Sequence, residues 1–450
     1  MERVRVSPDE TGMSRRTFLV GGSLAVAGSR WISVADGAAM AARWPDASTY
    51  SAKVPAAWFD LALDLVRTTP GFSPPVASRA FGYAGVALHE AVVPGIAGRR
   101  SLAGRLNGLR RLACPSAGAF HWPSVANSAL ACILRSLFAT TPSSNMDAID
   151  ALERRFVRAA CAKVPHRVLR RSRRRGRRVA RDIFGWSRTD GGDGASARNF
   201  PPYTPPQGPG LWVPTPPEFL PALQPYWGSN RPFVLPSGAV CPAGAPLAYS
   251  EDRDSGFYED AEECYRAVSG VTPEQEAMVR FWADVPEVTA TPPGHWIAIL
   301  TQVVRALDLS LGAAAEAYAK LGVAVADAFI ACWHTKYRYN VLRPVTYIQR
   351  LIDANWTPLL VTPPFPEYTS GHSVQSAAAA QVLTDLLGRV PFTDHTHDQR
   401  GLPPRSFASF MDAAHEAAVS RMYGGIHFRA AIDRGLDQGL CVGRAVSALG

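Results

Sequence analysis

The chain has 450 residues, enough for one large domain or two small ones around a substantial core, so its length alone excludes no fold. Its 47 basic and 38 acidic residues give a net charge of +9 at pH 7, which raises the question of a nucleic-acid or membrane-surface partner. Lysine occurs only at positions 53, 163, 320 and 336, and such an arginine-rich, alanine-rich composition often reflects GC-rich coding. The charge therefore does not by itself indicate such a partner.

The first 42 residues have the anatomy of an export signal. The sequence SRRTFL at 14–19 resembles the twin-arginine signature, and it precedes a mildly apolar stretch at 19–27 and a region of small residues ending near 38–42. This order favours a signal over a basic disordered tail. We therefore expect export by the twin-arginine route, to the periplasm or the extracellular space. No later segment has the ~20 continuous apolar residues that span a bilayer, so we predict no membrane span.

The body of the chain is predicted to be all-α, because alanine-rich amphipathic stretches dominate and alternating β-branched runs are scarce. The predicted helices span 50–69, 75–93, 124–139, 144–162, 172–186, 273–284, 296–307 and 311–336. The arginine run at 167–181 lacks interleaved aromatic residues and is better explained as a solvated helix face, so we predict no nucleic-acid partner. The seven cysteines form no CxxC pair, which gives no sign of a metal–thiolate site.

Residues 200–250 are rich in proline and glycine and are incompatible with regular helix. Their aromatic content predicts an ordered connection packed over the protein rather than a flexible linker. The chain thus divides into a signal segment (1–42), an N-terminal helical region (43–199), this connection, and a C-terminal helical region (251–450). We expect residues 43–450 to form one domain.

The first of three chemically distinctive patches is KYRYNVLRP at 336–344. Lys336 continues an apolar stripe with a three- or four-residue period along the last predicted helix, which points its ammonium inward. A lysine that ends such a stripe usually extends to solvent instead. Arg343 follows seven residues later, and Pro344 restricts its backbone. This spacing suggests two neighbouring cations but is weak evidence alone.

The second patch is PPFPEYTSGHS at 363–373. Thr369 or Ser370 is placed to cap a following helix, whose free amides and positive dipole end favour an anion. Gly371 would let the backbone approach that anion closely, and His372 would lie in the first turn facing it. The plainer alternative is a capping serine followed by a structural histidine.

The third patch is SRMYGGIH at 420–427. Arg421 ends another apolar stripe, and Gly424 and Gly425 would break the helix so that His427 turns back toward Arg421. The patches together offer three cations, two neutral donors and two imidazoles, which suits a tetrahedral oxyanion such as phosphate or vanadate.

In order and spacing, the patches resemble the signature K-x6-RP, PSGH and SR-x5-H of the vanadium-dependent haloperoxidases and related acid phosphatases, including type 2 phosphatidic acid phosphatases. The one departure is Thr369, where the pattern has proline. The resemblance extends to GLWVPTPP at 210–217, FWAD at 281–284, TPPGHW at 291–296 and GGIHFRAAIDRG at 424–435, and these segments resemble the soluble bacterial haloperoxidases. It implies the helical-bundle fold of that family.

The haloperoxidase resemblance implies a vanadate cofactor bonded to the protein through His427, the vanadium ligand. The residues that would surround its oxygens are Lys336, Arg343, Arg421, Ser370 and Gly371. His372 would act as acid and base toward hydrogen peroxide, and Lys336 would polarise the peroxide for attack by halide. The product would be a hypohalous-acid equivalent that reacts with a small organic acceptor.

The phosphatase resemblance gives the same side chains other roles. His427 would attack the phosphorus of a phosphate ester to form a phosphohistidine, and His372 would protonate the leaving alcohol, with no cofactor. The motif alone leaves both chemistries open, but the absence of membrane spans and the Pro-rich connection favour the haloperoxidase. An exported oxyanion-binding protein is less favoured, because two imidazoles facing one anion exceed what binding requires.

Two finer points concern halide choice and the orientation of His427. Phe365 and Trp333 match aromatic positions of the family's chloroperoxidase pocket, which makes them candidate halide-pocket residues. The family often has an aspartate four residues after the position of His427, where this chain has Ala431. Asp433, six residues after His427, is the candidate orienting carboxylate.

Overall fold

The computed structural model describes residues 45–115 and 117–449, and the predicted export signal at 1–42 lies outside the described residues. All described residues belong to one compact unit, 43–450. Within the described ranges the chain is mainly helical, which confirms the all-α prediction. The first seven helices are α1 (Lys53–Thr68), α2 (Pro74–Val92), α3 (Trp122–Leu137), α4 (Ser143–Cys161), α5 (His166–Ser187), α6 (Gly256–Ser269) and α7 (Pro273–Phe281). The others are α8 (Thr291–Ala306), α9 (Leu311–Tyr339), α10 (Pro344–Leu351), α11 (Gly371–Leu387), α12 (Phe410–Tyr423) and α13 (Arg429–Ser447).

The small sheet is a single antiparallel pair, β1 (Phe392–Asp394) and β2 (Arg405–Phe407). Phe392 lies opposite Phe407, and Asp394 lies opposite Arg405. Short 3-10 turns occur at Ala47–Thr49, Val93–Gly95, Ala195–Ala197, Trp227–Ser229 and Asp398–Arg400. Across the described ranges, 45–115 and 117–449, no helix is both long and apolar enough to cross a membrane.

Helix α9 is the central element of the fold. The Ser310 side chain caps its start, and Asn340, with φ of 49°, ends it in the left-handed conformation. It is buried along nearly its whole length, and many of its residues are alanine or another small residue. A Cβ added to Gly85 of α2 would lie 2.4 Å from the Tyr318 carbonyl oxygen of α9. Glycine therefore permits the close crossing of α2 and α9, and α9 carries Lys336 into the interior.

The C-terminal helices α11, α12 and α13 pack together, and α11 and α13 also pack against α9. A Cβ on Gly439 of α13 would lie only 2.2 Å from the Val374 carbonyl oxygen. The Ser370 backbone amide also donates to the Ala431 carbonyl oxygen at 3.0 Å. The N-terminus of α11 is thus fixed by the neighbouring helix as well as by its own cap.

We expect Gly439→Ala to destabilise the protein by about 1–3 kcal/mol, because the added methyl group forces α13 away from the α11 backbone. Urea denaturation followed by circular dichroism measures this change. Gly185→Ala is the matched control, since Gly185 is an exposed helical glycine with no atom within 4 Å of an added Cβ. That control should be neutral or stabilising by up to about 1 kcal/mol. Equal stability of both variants would contradict the close-packing argument.

The proline-rich connection is ordered and packed on the helices, as predicted. The buried Asp327 carboxylate of α9 accepts hydrogen bonds from the backbone amides of Phe233, Val234 and Leu235 at 2.6, 2.8 and 3.1 Å. A disulfide joins Cys241 of the connection to Cys441 of α13. The connection can therefore serve as a wall over the C-terminal helices.

Candidate active site

The structure brings the second and third sequence patches together in the lining of one cavity of about 710 Å³. Gly371, His372, Arg421 and His427 line this cavity directly. Ser370 immediately precedes Gly371 and caps α11, with its Oγ accepting from the Ser373 amide at 3.4 Å. The predicted anion site therefore lies at a helix N-terminus, where free amides and the helix dipole favour negative charge.

Lys336 and Arg343 lie behind the cavity wall, against the ring of Phe365. The Lys336 Nζ atom is 5.0 Å and the Arg343 Cζ atom 4.9 Å from the centre of that ring. Both side chains are fully buried. Lys336 donates to the carbonyl oxygens of Pro366 and Glu367, each at 2.9 Å. The backbone of the second patch thus positions the cation supplied by α9.

Arg343 is positioned mainly by backbone carbonyls, and Arg421 by a hydroxyl and one carbonyl. Arg343 donates through Nε to the Phe365 carbonyl at 2.8 Å and through Nη1 to the Ile426 carbonyl at 2.7 Å. Its Nη1 also lies 3.3 Å from His427 Nε2. Arg421 donates through Nε to the Ser420 hydroxyl at 3.0 Å. These contacts bring one guanidinium group directly to the imidazole of the third patch.

Glu367 orients His427, and the prediction of Asp433 for this role was wrong. Glu367 Oε1 lies 2.8 Å from His427 Nδ1 and accepts from the Phe428 amide at 3.0 Å. Oε1 therefore accepts from Nδ1–H, which leaves Nε2 unprotonated and able to accept from Arg343 Nη1. Asp433 is exposed on α13, because that helix starts at Arg429, after His427, and carries the aspartate toward solvent. Glu367 belongs to the second patch, so the spacing of residues within the third patch does not identify it as the partner of His427.

A backbone carbonyl fixes the ring of His372. His372 Nε2 lies 3.1 Å from the Trp282 carbonyl oxygen, and a carbonyl only accepts, so Nε2 carries the hydrogen. Nδ1 is then the basic nitrogen. Burial, and then the positive charge of Arg421, lowers the pKa of His372 well below its usual range. His372 is therefore a neutral base at neutral pH.

Electrostatics of the buried cations fit a bound oxyanion. Burial lowers the pKa of Lys336 to about 7 and those of Arg343 and Arg421 to about 10. Burial also raises the pKa of Glu367, an effect opposed by the positive charges of Lys336 and Arg343. Buried charges need compensating partners, and these three cations outnumber the two carboxylates that act on them, Glu367 and Asp284. A vanadate or phosphate ion would supply the missing negative charge.

The space around Gly371 also fits an oxyanion. A Cβ added there would meet no protein atom closer than Trp333 Cζ3, at 3.8 Å. Glycine is therefore not required by packing, and a side chain would instead occupy the cavity in front of the α11 amides. The amides at the start of α11, the open space in front of Gly371, His427 Nε2 and the three cations together fit vanadate as a cofactor.

A further buried histidine, His295, lies near His372 on α8, outside the three sequence patches. His295 Nδ1 is 2.8 Å from Asp284 Oδ2, and its Nε2 is 2.8 Å from Asp394 Oδ2. Each nitrogen therefore donates to a carboxylate, which makes His295 an imidazolium. Its ring stacks on Trp282 with 4.4 Å between centroids. This network therefore holds Trp282 in place, and the Trp282 carbonyl oxygen orients His372.

Asp284, His295 and His397 could also be considered as metal ligands, since their donor atoms lie within 4.8 Å of one another. His397 Nε2 is 3.5 Å from Asp284 Oδ1 and has no hydrogen-bond partner. Hydrogen-bond separations of 2.8 Å on both sides of His295 are better explained by a proton than by an ion. We therefore interpret this cluster as a charged hydrogen-bond network.

We expect Asp394→Asn to destabilise the protein by roughly 1–3 kcal/mol, because a charged hydrogen bond becomes a neutral one. Burial alone would lower the pKa of His295, but Asp284 and Asp394 raise it to about 10. Because the pKa of His295 is higher in the folded state than the value of about 6.5 in the unfolded state, its positive charge stabilises the fold fully below pH 6.5. That stabilisation is lost as the pH rises toward 10. Urea denaturation should therefore give a larger difference from the wild type at pH 6 than at pH 9.

Asp385→Asn is the control for this pH dependence, since Asp385 is exposed on α11. It should leave the unfolding free energy unchanged at both pH values. A wild-type value for Asp394→Asn, or a difference that grows toward pH 9, would contradict an imidazolium at His295.

Both candidate halide-pocket residues line the cavity. The rings of Trp333 and Phe365 have centroids 4.9 Å apart, inclined at 50°. The Trp333 indole nitrogen donates to the Leu223 carbonyl of the connection at 3.3 Å, which fixes the ring. The structure therefore places these aromatic residues beside the proposed oxyanion position.

Comparisons with known proteins identify relatives that cover most of the chain. A family model described as the VCPO second helical-bundle domain matches residues 316–449, which include all three patches. The crystal structure titled the first bacterial vanadium-dependent iodoperoxidase is 39% identical and superposes with a TM-score of 0.80 over 89% of this chain and 97% of that one. A comparison with curated protein sequences returns no match.

Two structures of bacterial vanadium-dependent chloroperoxidase share the fold at 16% identity. The holo form has a TM-score of 0.63 over 85% of this chain and 93% of that one. The apo form has a TM-score of 0.60 over 84% and 93%. The 39% identity to the iodoperoxidase over 89% of this chain goes beyond a shared fold and favours peroxidase over phosphatase chemistry. The chain belongs to the vanadium-dependent haloperoxidase family.

Proposed function

We propose that this haloperoxidase uses hydrogen peroxide to oxidise iodide, with vanadate held at His427. The observation that carries the residue assignment is the His427 Nε2 atom, which Glu367 keeps unprotonated and which accepts from Arg343 Nη1 at 3.3 Å. The choice of iodide is supported by the 39% identity to a bacterial iodoperoxidase. When bound, vanadate supplies a Lewis-acidic centre that activates peroxide toward a two-electron donor.

The protein's own groups would bind and orient the oxyanion. Lys336, Arg343 and Arg421 would balance its charge, and the Ser370 hydroxyl and Gly371 amide would donate hydrogen bonds to it. Because each is held by backbone or helix contacts, little reorganisation is needed on binding. Glu367 would keep His427 in the tautomer whose Nε2 can act as a ligand.

His372 would move the proton that the reaction requires. Oxidation of halide by hydrogen peroxide consumes one proton and yields hypohalous acid and water. His372 Nδ1 is unprotonated, because Nε2–H donates to Trp282, so Nδ1 can accept a proton from incoming peroxide and return it to the departing oxygen. Its low pKa makes the neutral base available at neutral pH.

The first test compares halides directly. Purified protein loaded with orthovanadate should oxidise iodide with peroxide, and bromide and chloride more slowly. A parallel assay without vanadate measures hydrolysis of a phosphate ester, which should be negligible. Hydrolysis without halide oxidation would overturn the proposal. Faster oxidation of chloride would overturn the iodide assignment and support the chloroperoxidase-like interpretation of Trp333 and Phe365.

We expect Gly371→Ala to lower iodide oxidation by roughly 10²-fold, because the methyl group would occupy the oxyanion position and block an amide donor. Its unfolding free energy should change by less than about 0.5 kcal/mol, as for a substitution without a steric clash. Gly256→Ala is the matched control, since Gly256 is also the first residue of a helix and has open space at its Cβ position. Wild-type activity in Gly371→Ala would contradict the placement of the oxyanion in front of Gly371.

We also propose export to the periplasm or the extracellular space. The support is the SRRTFL sequence at 14–19 together with the Cys241–Cys441 disulfide, which suits an oxidising compartment. Fusing residues 1–42 to a reporter that is active only after export tests this. Replacement of Arg15 and Arg16 by lysine should abolish the signal, and an unchanged signal would overturn the twin-arginine route.

A further inference from the structure

Helix α5 presents a row of positive charge to solvent. Residues 163–181 contain nine arginines and one lysine but no aspartate or glutamate. GC-rich coding explains why arginine replaces lysine, but it does not explain why so many basic residues occur in one run without an acidic residue. Like charges three or four residues apart destabilise a helix, so this arrangement costs stability in the isolated protein.

The arginines of α5 divide into two sets. Those on the flanks of the helix bind the protein: Arg171 donates to the Ala119 carbonyl oxygen at 2.9 Å, and Arg177 donates to Glu153 Oε1 at 3.2 Å. The other set, which we call the arginine ridge, comprises Arg167, Arg170, Arg174, Arg178 and Arg181. All five are exposed, and within the part of the chain that the structure describes they make no hydrogen bond or ion pair. The ridge therefore has no structural partner to account for it.

The ridge has a fixed, straight geometry. Steps of three or four residues keep its side chains on one face and space them about 4.5 or 6 Å apart along the helix axis, over a length of about 21 Å. The opposite face of α5 is packed closely on α3, because a Cβ added to Gly176 would lie 2.3 Å from the Val125 carbonyl oxygen. The packed face holds the row of charges toward solvent.

A groove lies on each side of the ridge. One, of about 510 Å³, borders the end of α4 at Cys161, and the other, of about 600 Å³, borders residues 113–115. Arg170 and Arg174 line both grooves. Among the described residues, one carboxylate lines them, that of Asp182, which follows the last arginine of the ridge. A narrow chain of anionic groups lying in either groove would have guanidinium groups along its side.

The surface fits a thin, linear polyanion better than it fits a bilayer or a nucleic acid. The structure describes all of α5, and none of its large apolar side chains is exposed, so the helix has nothing to insert into a membrane. A flat bilayer also does not enter a groove. The ridge has no aromatic ring on which a base would stack, and Phe120, which lines one groove, is buried. Guanidinium groups instead match carboxylate and sulfate groups, each of which accepts two parallel hydrogen bonds.

We propose that the arginine ridge of α5 binds an acidic polysaccharide, whose carboxylate or sulfate groups pair with the exposed guanidinium groups. This binding is separate from halide oxidation, because no residue of the ridge lines the active-site cavity. It is consistent with the proposed export, since acidic polysaccharides are common outside cells. The bound polymer would hold the exported protein in place and leave the active site open.

The first experiment measures binding of fluorescein-labelled polygalacturonate to the purified protein by fluorescence anisotropy. Binding should be saturable, and it should weaken by at least about tenfold between 50 and 300 mM sodium chloride, because salt screens exposed charges. Labelled dextran, a neutral polysaccharide, should not bind. Absence of saturable binding to polygalacturonate, or equal binding of dextran, would overturn the proposal.

The second experiment distinguishes the ridge from the net charge of the protein. The ridge variant carries Arg170→Gln, Arg174→Gln and Arg178→Gln. The control variant carries Arg253→Gln, Arg389→Gln and Arg444→Gln, at three exposed arginines outside α5. Both variants lose the same charge, but affinity for polygalacturonate should fall by at least about tenfold in the ridge variant and stay within twofold of wild type in the control. An equal loss in both would show that net charge alone attracts the polymer, contrary to the proposal.

The remaining measurements test other partners and the independence of the two functions. Vesicles of phosphatidylglycerol and phosphatidylcholine, and an oligothymidylate, should each bind more weakly than polygalacturonate; tighter binding of either would replace the polysaccharide with a membrane or a nucleic acid. Circular dichroism should show that both variants are folded, and triiodide formation should stay within twofold of wild type in each. Failure of halide oxidation in the wild type would overturn the proposed function alone, whereas normal triiodide formation without polymer binding would overturn this inference alone.

Discussion

Replacing His427 by alanine should abolish both vanadate binding and halide oxidation. Glu367 keeps His427 Nε2 unprotonated at the cavity, and the other imidazole there, His372, is held by the Trp282 carbonyl and assigned to proton transfer. We expect activity to fall by more than about 10³-fold, the upper end of the loss caused by removing a single oxyanion donor. Equilibrium dialysis against orthovanadate should show no stoichiometric vanadium in the variant.

His415→Ala is the control, since His415 is an exposed histidine on α12. It should bind vanadate and oxidise iodide like the wild type. Circular dichroism and urea denaturation of His427→Ala establish that the variant is folded, and His427→Gln provides a second variant with less loss of volume. Substantial halide oxidation by either folded His427 variant would contradict its assignment as the vanadium ligand.

The sequence predicted the helices that carry the cations because their signals are local. Lys336 continues the period of α9, Ser370 precedes α11 at a capping position, and Gly424 follows the end of α12. Helix periodicity and capping depend on residues within a few turns, so a single sequence carries them. The placement of the predicted site residues around one cavity then follows from the packing of these helices.

Boundaries and short helices were harder to predict, because tertiary contacts decide them. Helix α5 starts at His166, six residues before the predicted position, although like-charged arginines fill its first turns. Val168 and Leu169 pack there against Ala160 and Val164, which offsets the repulsion. Helix α10 was missed because eight residues give too little periodicity to detect. Helix α6 was missed behind a polar segment that resembles a loop.

Residues that orient the catalytic histidines were also missed, because they come from distant parts of the chain. Glu367 precedes His427 by sixty residues, and the Trp282 carbonyl is ninety residues from His372. No periodicity links such pairs. The usable signal for Glu367 was its position between Pro366 and Tyr368, where an acidic residue interrupts a rigid apolar segment. Every residue has a backbone carbonyl, so a carbonyl that orients a side chain cannot be recognised from the residue types in a sequence.

Glu367→Ala should lower iodide oxidation and vanadate affinity by about 10–100-fold, the range typical for loss of a residue that orients a metal ligand. Without the Glu367 carboxylate, His427 Nδ1–H and the Phe428 amide lose their shared acceptor. The imidazole can then rotate or exchange its proton to Nε2, which removes the lone pair that binds vanadium. Steady-state iodide oxidation and equilibrium dialysis with orthovanadate measure the two effects separately.

Glu367→Gln distinguishes orientation from charge. Its amide oxygen can still accept from His427 Nδ1–H, so this variant should recover a substantial part of the activity that Glu367→Ala loses. Glu262→Ala is the control, because Glu262 is a partly exposed residue of α6 paired with Arg266, and it should behave like the wild type. Wild-type activity in Glu367→Ala would refute an orienting role. No recovery in Glu367→Gln would mean that the negative charge beside Lys336 and Arg343, rather than the hydrogen bond to His427, is what the site requires.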